Sequence, residues 1–283
     1  LVESMAGPLP DEAFSVIERL ANGSPFMAAA ALRGLVESEA LVPITTGWQV
    51  DPLAMASVQS SRHAAEFLAH RIELLPETAV QLLSAGAVLG KEFDLSTAAR
   101  LAGQTPEQAI TGLNEAHRRH IVWSKTTDDR CAFVHDKLRE TMLDRLPEHE
   151  QKKLHLQAAI HFETSPEDRI YDLAYHFDAA GESAQALPYA LEAAERARAR
   201  HSLEIAAQQY RIAQRGVSDT DEVTRYRIAE GLGDALMLLG QYPAAAEMLE
   251  AASVLARDET TRAEIEGKLG ELAFKQGDNQ AGI

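Results

Sequence analysis

With one cysteine in 283 residues, no intrachain disulfide can form. Cys131, in the strand-like run Arg130-Cys131-Ala132-Phe133, reads as a small core residue rather than a nucleophile. Aromatic residues make up only 6% of the chain, so its cores must be built mainly from Ala and Leu, which favour closely packed helices. No apolar run approaches the ~20 residues of a membrane-spanning helix, and the first residues lack the basic-then-apolar order of a secretory signal. Together these absences point to a reducing cytoplasm. Basic charge is also scarce, with 27 Lys and Arg against 43 Asp and Glu for a net charge of −16. The balance is −5 over residues 1–61, −1 over 62–147 and −10 over 148–283. Nucleic-acid binding relies on a basic face that neutralises phosphates, so this distribution disfavours it. Arg118, Arg119 and His120 stand at a helix end, where cations complement the helix dipole.

Motifs that carry chemistry are missing too. Gly86-Ala87-Val88-Leu89-Gly90-Lys91-Glu92 imitates a phosphate-binding loop, but it has three residues between its glycines where four are needed. Glu92 also follows the lysine in place of the Ser or Thr that would hold magnesium. Among the 10 histidines, His117 and His120 could share a helical face, whereas His149, His155 and His161 are spaced six apart. No Cys or carboxylate completes a tetrahedral set, so no metal site is expected. No Ser-His-Asp set or paired-carboxylate motif stands out, and the chain reads as non-catalytic.

What is present is helical periodicity. Helices are expected over 11–21 and 25–38, interrupted by Asn22-Gly23-Ser24-Pro25, with Pro25 suited to a first helical turn. Residues 41–44 and 48–50 flank Thr45-Thr46-Gly47 as a short hairpin. Helices follow over 62–75 and 76–89. A short helix at 95–102, a turn at Gly103-Gln104 and a helix opening at Thr105-Pro106 lead to strands at 121–124 and 130–134. Three helices and a β-hairpin in this order make a winged helix. His135-Asp136 then opens another helix, with Asp136 expected at its N-terminus and His135 closing the strand.

Beyond about residue 152 the pattern is helical hairpins with an internal repeat. Leu232-Gly233-Asp234-Ala235-Leu236, Gly240-Gln241-Tyr242, Ala245, Leu249 and Ala252 form one unit. Leu269-Gly270-Glu271-Leu272-Ala273 and Gly277 recur 37 residues on. This resembles the tetratricopeptide repeat. Gly233 and Ala245 would let two helices approach while Leu249 fills the gap. Ala190, Ala194, Ala206, Tyr210 and Ala213 mark a weaker unit, and residues 168–198 mark a degenerate hairpin around Gly181. Stacked arrays need terminal caps, so both ends of the chain read as cuts in a longer protein.

Read in order, these motifs resemble the C-terminal part of STAND-class signalling ATPases, in particular bacterial multidomain proteins that join such an ATPase to a kinase or a transcription regulator. The resemblance rests on Asn22-Gly23-Ser24-Pro25-Phe26, Gly47-Trp48-Gln49-Val50-Asp51 and Arg71-Ile72-Glu73-Leu74-Leu75-Pro76. It continues through residues 87–95, Phe133-Val134-His135-Asp136 with Leu138-Arg139-Glu140, Leu154-His155, and Tyr175-His176-Phe177 with Gly181. It implies that Pro25 lies beside an adenine and that His135 reaches the ADP β-phosphate in a closed state. Gly23, Pro25 and His135 would then be nucleotide sensors of the parent protein, whose ATP- or ADP-binding core would precede residue 1.

The expected fold is mainly α: a lid-type helical remnant (1–61), a winged-helix domain (62–147), and an α-solenoid of tetratricopeptide-like hairpins (148–283) truncated at its C-terminus. The expected function is regulatory, coupling nucleotide state to partner or inducer binding, with a DNA-binding regulator or a plain repeat scaffold as alternatives. The chain itself would need no cofactor. Its partners would be the ATPase core of the same polypeptide and a protein or peptide on the repeats, with no membrane. The groove-facing positions expected from the repeat register are Arg227, Glu230, Asp234 and Met237, then Glu264, Glu271, Phe274 and Lys275. Purified protein should therefore not hydrolyse ATP. Turnover that Lys91→Ala abolishes, measured by phosphate release, would contradict the rejection of the phosphate-loop reading.

Overall fold

The computed structural model describes residues 2–21, 23–45, 47–60, 72–124, 129–164 and 169–276, and it is mainly helical. The chain divides into two compact units, Leu1–Pro147 and Glu148–Ile283.

The first unit opens with α1 (Val2–Ala6), α2 (Asp11–Ala21) and α3 (Pro25–Glu37), followed by the hairpin β1 (Leu41–Ile44) and β2 (Gly47–Val50) and by α4 (Pro52–Ser60). Ser24 caps α3 by accepting a hydrogen bond from Met27 N, and Pro25 occupies the first turn, where its missing N–H leaves nothing unsatisfied. The hairpin pairs Leu41 with Val50 and Ile44 with Gly47. Val16, Ile17, Leu20, Ala31, Leu35, Leu41 and Met55 form the core, and the Trp48 indole N–H donates to Ala6 O at 2.7 Å. Helices α1 and α4 are additions to the sequence reading. The first is too short to show a period, and Pro52-Leu53-Ala54-Met55-Ala56 is apolar on every side. Asp51 signals the start of α4, accepting from Leu53 N and Ala54 N at 2.9 Å each.

The expected helix over 62–75 lies mostly outside the described residues; Ile72 and Glu73 are helical and Pro76 precedes the next helix. That helix, α5 (Glu77–Leu89), is followed by β3 (Glu92–Asp94), α6 (Leu95–Leu101), α7 (Pro106–Arg118), β4 (Val122–Ser124), β5 (Arg130–Phe133) and α8 (Asp136–Asp144). Asp94 caps α6 through Thr97 N, and Thr105 with Gln108 forms a reciprocal capping box on α7. The strands make a three-stranded antiparallel sheet in the order β3-β5-β4. Strand β3 was not expected, because three residues are too few to show alternation. It also accounts for the false phosphate loop: a Cβ on Gly86 would sit 2.9 Å from the Phe93 ring of β3, and Gly90 ends α5 at φ +144°.

One local expectation is corrected. Asp136 is the first residue of the last helix of this unit, as expected, but His135 does not close the strand: β5 ends at Phe133 and His135 is the N-cap. Its Nδ1 accepts from Lys137 N at 3.0 Å, which leaves the Asp136 carboxylate free to turn toward Lys91.

The second unit is a tetratricopeptide-like solenoid. It comprises α9 (Glu148–Phe162), α10 (Ile170–Ala180), α11 (Ser183–Ala199), α12 (Leu203–Gly216), α13 (Glu222–Leu238), α14 (Tyr242–Leu255) and α15 (Glu259–Gln276). Neighbouring helices meet through alanines: Ala186, Ala190, Ala193 and Ala194 of α11 are fully buried, as are Ala206, Ala213, Ala245 and Ala252. A Cβ on Gly233 would come within 2.8 Å of the Leu249 side chain, and one on Gly231 would overlap the Tyr210 ring. The repeat is also more regular than the Leu-Gly signature suggested. Asp221-Glu222-Val223-Thr224-Arg225 returns 37 residues later as Asp258-Glu259-Thr260-Thr261-Arg262. In each copy the Asp accepts from the Thr backbone N–H, and the Arg donates to the carbonyl six residues back, Asp219 O or Ala256 O.

Two alanine substitutions separate packing from helix propensity. Gly231→Ala should destabilise the unit by about 1–2 kcal/mol, since overpacking against Tyr210 outweighs the propensity gain. Gly267→Ala, with no neighbour within 4 Å of its new methyl group, should stabilise by about 0.5–1 kcal/mol. Urea denaturation of the two variants measures both, and equal shifts of the same sign would refute the packing argument.

Candidate functional site

Helices α11, α13 and α15 are the first helices of successive hairpins, and their side chains join them across the stack. Glu195 of α11 pairs with Arg227 of α13 at 2.6 Å, and Arg198 of α11 with Asp234 of α13 at 3.3 Å. Lys268 of α15 reaches back to Glu230 at 2.9 Å and to Asp234 at 2.8 Å. Burial works to lower the Lys268 pKa, but hydrogen bonds to Asp234 and Glu230 outweigh it and the net direction is up. The six residues carry three charges of each sign, so the ladder neutralises itself. A second strut lies on the other helices of the hairpins, where Arg215 of α12 makes two hydrogen bonds, 2.6 and 2.9 Å, to the Asp178 carboxylate of α10. That bond raises the Arg215 pKa further.

This geometry redefines the expected groove positions. Arg227, Glu230 and Asp234 do share a stripe of α13, but they are engaged in holding the helices together. Glu271 and Lys275 pair with each other at 2.8 Å within α15, and Glu264 is exposed. Met237 is half-buried, whereas Phe274 is 71% exposed. These two occupy the same register in consecutive units, and Leu238, 59% exposed, stands beside the first. Sequence reasoning missed Glu195, Arg198 and Lys268. The Asp-Glu-x-Thr-Arg repeat could have fixed the register, but Lys268 falls opposite Gly231 in the preceding unit, so no periodicity marks it.

In the first unit, Gly23 and Pro25 lie exposed at the α2–α3 junction, Gly23 at φ +79°, and His135 lies at the start of α8. Because His135 Nδ1 accepts the capping hydrogen bond, its neutral ring carries the proton on Nε2. That places an imidazole N–H donor at a helix N-terminus, where the dipole favours an anion. Lys91 adds a cation, offset by its 3.1 Å ion pair with Asp136. Arg139 Nε donates to Ala87 O at 2.8 Å and ties α8 to α5.

Cys131 is buried, and that burial, with Asp129 and Asp94 adding to it, pushes its thiol up to about 11. So few thiolates form near neutrality that it is a packing residue rather than a nucleophile. Among the described residues no group of three or more His, Cys, Asp or Glu side chains is arranged to hold a metal, and no helix is long and apolar enough to cross a membrane.

No family model matches the chain, and no curated protein matches it. Among solved structures it is similar to a Signal Transduction ATPase with Numerous Domains protein with a tetratricopeptide repeat sensor from Pyrococcus horikoshii, at 15% identity and a TM-score of 0.44. That match covers 99% of this chain and 38% of the other, so the chain spans less than half the length of that protein.

The ladder has a measurable consequence. Lys268→Met should lower stability by about 1 kcal/mol, because Glu230 and Asp234 then face each other without a shared cation. The loss should shrink in 1 M NaCl, where charges are screened within about 3 Å. A salt-independent loss in urea titrations would assign the effect to packing of the lysine stem instead.

Proposed function

We propose that this chain is a non-catalytic regulatory segment of a STAND-type signalling ATPase, and that its solenoid binds a protein partner along α11, α13 and α15. The observation that carries this reading is the pairing of apolar side chains left half-buried or exposed on α13, Met237 and Leu238, with an adjoining ion-pair ladder that is already neutral, and Phe274 repeats the Met237 register one unit on. An apolar side chain left in water on a rigid face suits binding better than folding. The ladder holds three helices in a fixed array, so a partner meets a preformed surface. The occupant that fits is a peptide or helix that offers apolar side chains to Met237, Leu238 and Phe274. Its basic side chains suit Glu264 and the −10 charge of residues 148–283.

The first unit would supply the switch. Its helix–strand–helix–helix–hairpin order and β3-β5-β4 sheet support reading it as a winged helix, with α1 to α4 as the lid-type segment. In this reading the ATPase core of the same bacterial, cytoplasmic polypeptide holds ATP or ADP. Gly23 and Pro25 lie beside the adenine, and His135 donates from Nε2 to a phosphate of ADP. A partner on the solenoid would favour the arrangement in which that contact is broken, a population shift rather than a chemical step. The winged helix would be a docking module, not a DNA reader, since the outward residues of α7 include Glu107 and Ile110, which give phosphates nothing to bind.

The test is binding of an immobilised library of basic amphipathic peptides, read by fluorescence anisotropy on the best ligands. Phe274→Ala should weaken the tightest binders about tenfold, or about 1.4 kcal/mol. Arg227→Ala should mainly reduce stability. Ligands that bind Phe274→Ala as tightly as wild type, or that prefer acidic to basic peptides, would sink the assignment.

A further inference from the structure

The stripe of α13 that carries the ladder has apolar ends. At 3.6 residues per turn, Val223, Tyr226, Glu230, Asp234, Met237 and Leu238 fall on one side of the helix, with the carboxylates in the middle. Met237 and Leu238 form the C-terminal end. At the N-terminal end Val223 is 51% exposed and Tyr226 is half-buried. These two line a cleft of about 190 Å³ together with Leu255 at the end of α14 and with Arg257, Asp258 and Thr261, where α15 begins. Helices α13 and α15 run in the same direction, since Lys268, midway along α15, meets Glu230 and Asp234 midway along α13. The cleft therefore lies at the head of the same seam that Lys268 bridges.

Size and charge narrow what this cleft can hold. Sites for free small molecules run to about 300–1,000 Å³. A space of about 190 Å³ instead admits one apolar side chain, with Val223, Tyr226 and Leu255 as its apolar wall. On the rim, Glu222 stands on the α13 side, and Glu264 of α15 lies within electrostatic reach of Tyr226. Neither carboxylate is ion-paired among the described residues. The lining cation, Arg257, lies within reach of Asp221, and Asp258 has both oxygens engaged by Thr261. The charge left over at the rim is acidic, so a cation beside the anchoring side chain complements it.

We propose that the partner of the solenoid is an amphipathic helix that lies along α13, seating one apolar side chain in this cleft and another on Met237 and Leu238. The proposal rests on the partner-binding reading above and specifies which partner that face takes. Between the two ends the ladder side chains are already bonded to one another. A strand laid across them would leave its backbone N–H and C=O groups against engaged side chains, whereas a helix satisfies its own. Tyr226 and Met237 are eleven residues apart, about 16.5 Å along the axis. A partner helix matches that span with apolar residues at i and i+11, which share a face because eleven residues make about three turns. Residues between them on that face are small and neutral, and basic residues flank the anchor in the cleft.

The test ligand is a fluorescein-labelled Ala/Lys helix about 18 residues long, with Leu at i and i+11 and Lys beside the first Leu. It is titrated with the whole chain and read by anisotropy. Moving the second Leu to i+9 puts it on the opposite side of the helix and should weaken binding about tenfold. A version with Pro at its centre, which cannot keep the helix, should weaken at least as much. Val223→Asn and Leu238→Asn change exposed positions without changing charge, and each should also cost about tenfold in affinity while leaving the urea midpoint nearly unchanged. Suppose Leu238→Asn weakens binding and Val223→Asn does not, or the i+9 or proline peptide binds as tightly as the first. The helix-and-cleft proposal then falls while the partner-binding reading stands. If no peptide binds, or if neither variant weakens binding, both fall together.

Discussion

Close approach between helices is the constraint on which the solenoid depends. Helices can lie side by side with few aromatics only if small residues occupy the crossings, and here those residues are Ala and Gly. Gly233 admits the Leu249 side chain and Gly231 admits the Tyr210 ring, so each large side chain fills a space that a missing Cβ creates. The same device recurs in the first unit, where Gly86 leaves room for Phe93 against α5. Dense packing of this kind tolerates neither added nor removed methyl groups well.

Given that spacing, polar side chains on the helix surfaces come into reach of one another. The ladder from Glu195 to Lys268 exists because α11, α13 and α15 are brought close enough for their side chains to bridge. Exposed ion pairs contribute little singly, but a network that shares Lys268 and Asp234 costs less side-chain entropy per bond than isolated pairs. Its consequence for function is subtractive. Charged residues that looked available for a partner are engaged within the fold, so the proposed partner surface rests on the apolar positions Met237, Leu238 and Phe274. In that proposal the acidic excess of the solenoid would act by attraction at a distance more than by direct contact.

Histidines illustrate how environment divides one residue type among roles. His135 uses Nδ1 to cap α8 and thereby presents Nε2–H at the helix N-terminus. His155 and His176 turn their Nδ1 atoms on each other inside the first hairpin of the solenoid. In each case a hydrogen bond to one ring nitrogen decides what the ring can do next. The composition, with 10 histidines, permitted a metal reading as readily as these.

The sequence by itself determined the helices, their caps and the repeat. Ser24-Pro25, Thr105-Pro106 with Gln108, and the Leu-Gly recurrence at 37 residues are local signals, because capping and close packing depend on residues a few positions apart. It was silent where an element is too short to show a period, as with β3 and α1, and where no polar face exists, as with α4. It also put His135 at the strand end rather than at the N-cap of α8, since a strand ending two residues early cannot be read from side-chain preference. Only the tertiary structure decided which charges are shared between helices, that Lys268 lies opposite Glu230 and Asp234, and that His176 faces His155. Those pairings join residues 21 to 38 positions apart. They are set by the stacking of helices, a through-space geometry that no local pattern encodes.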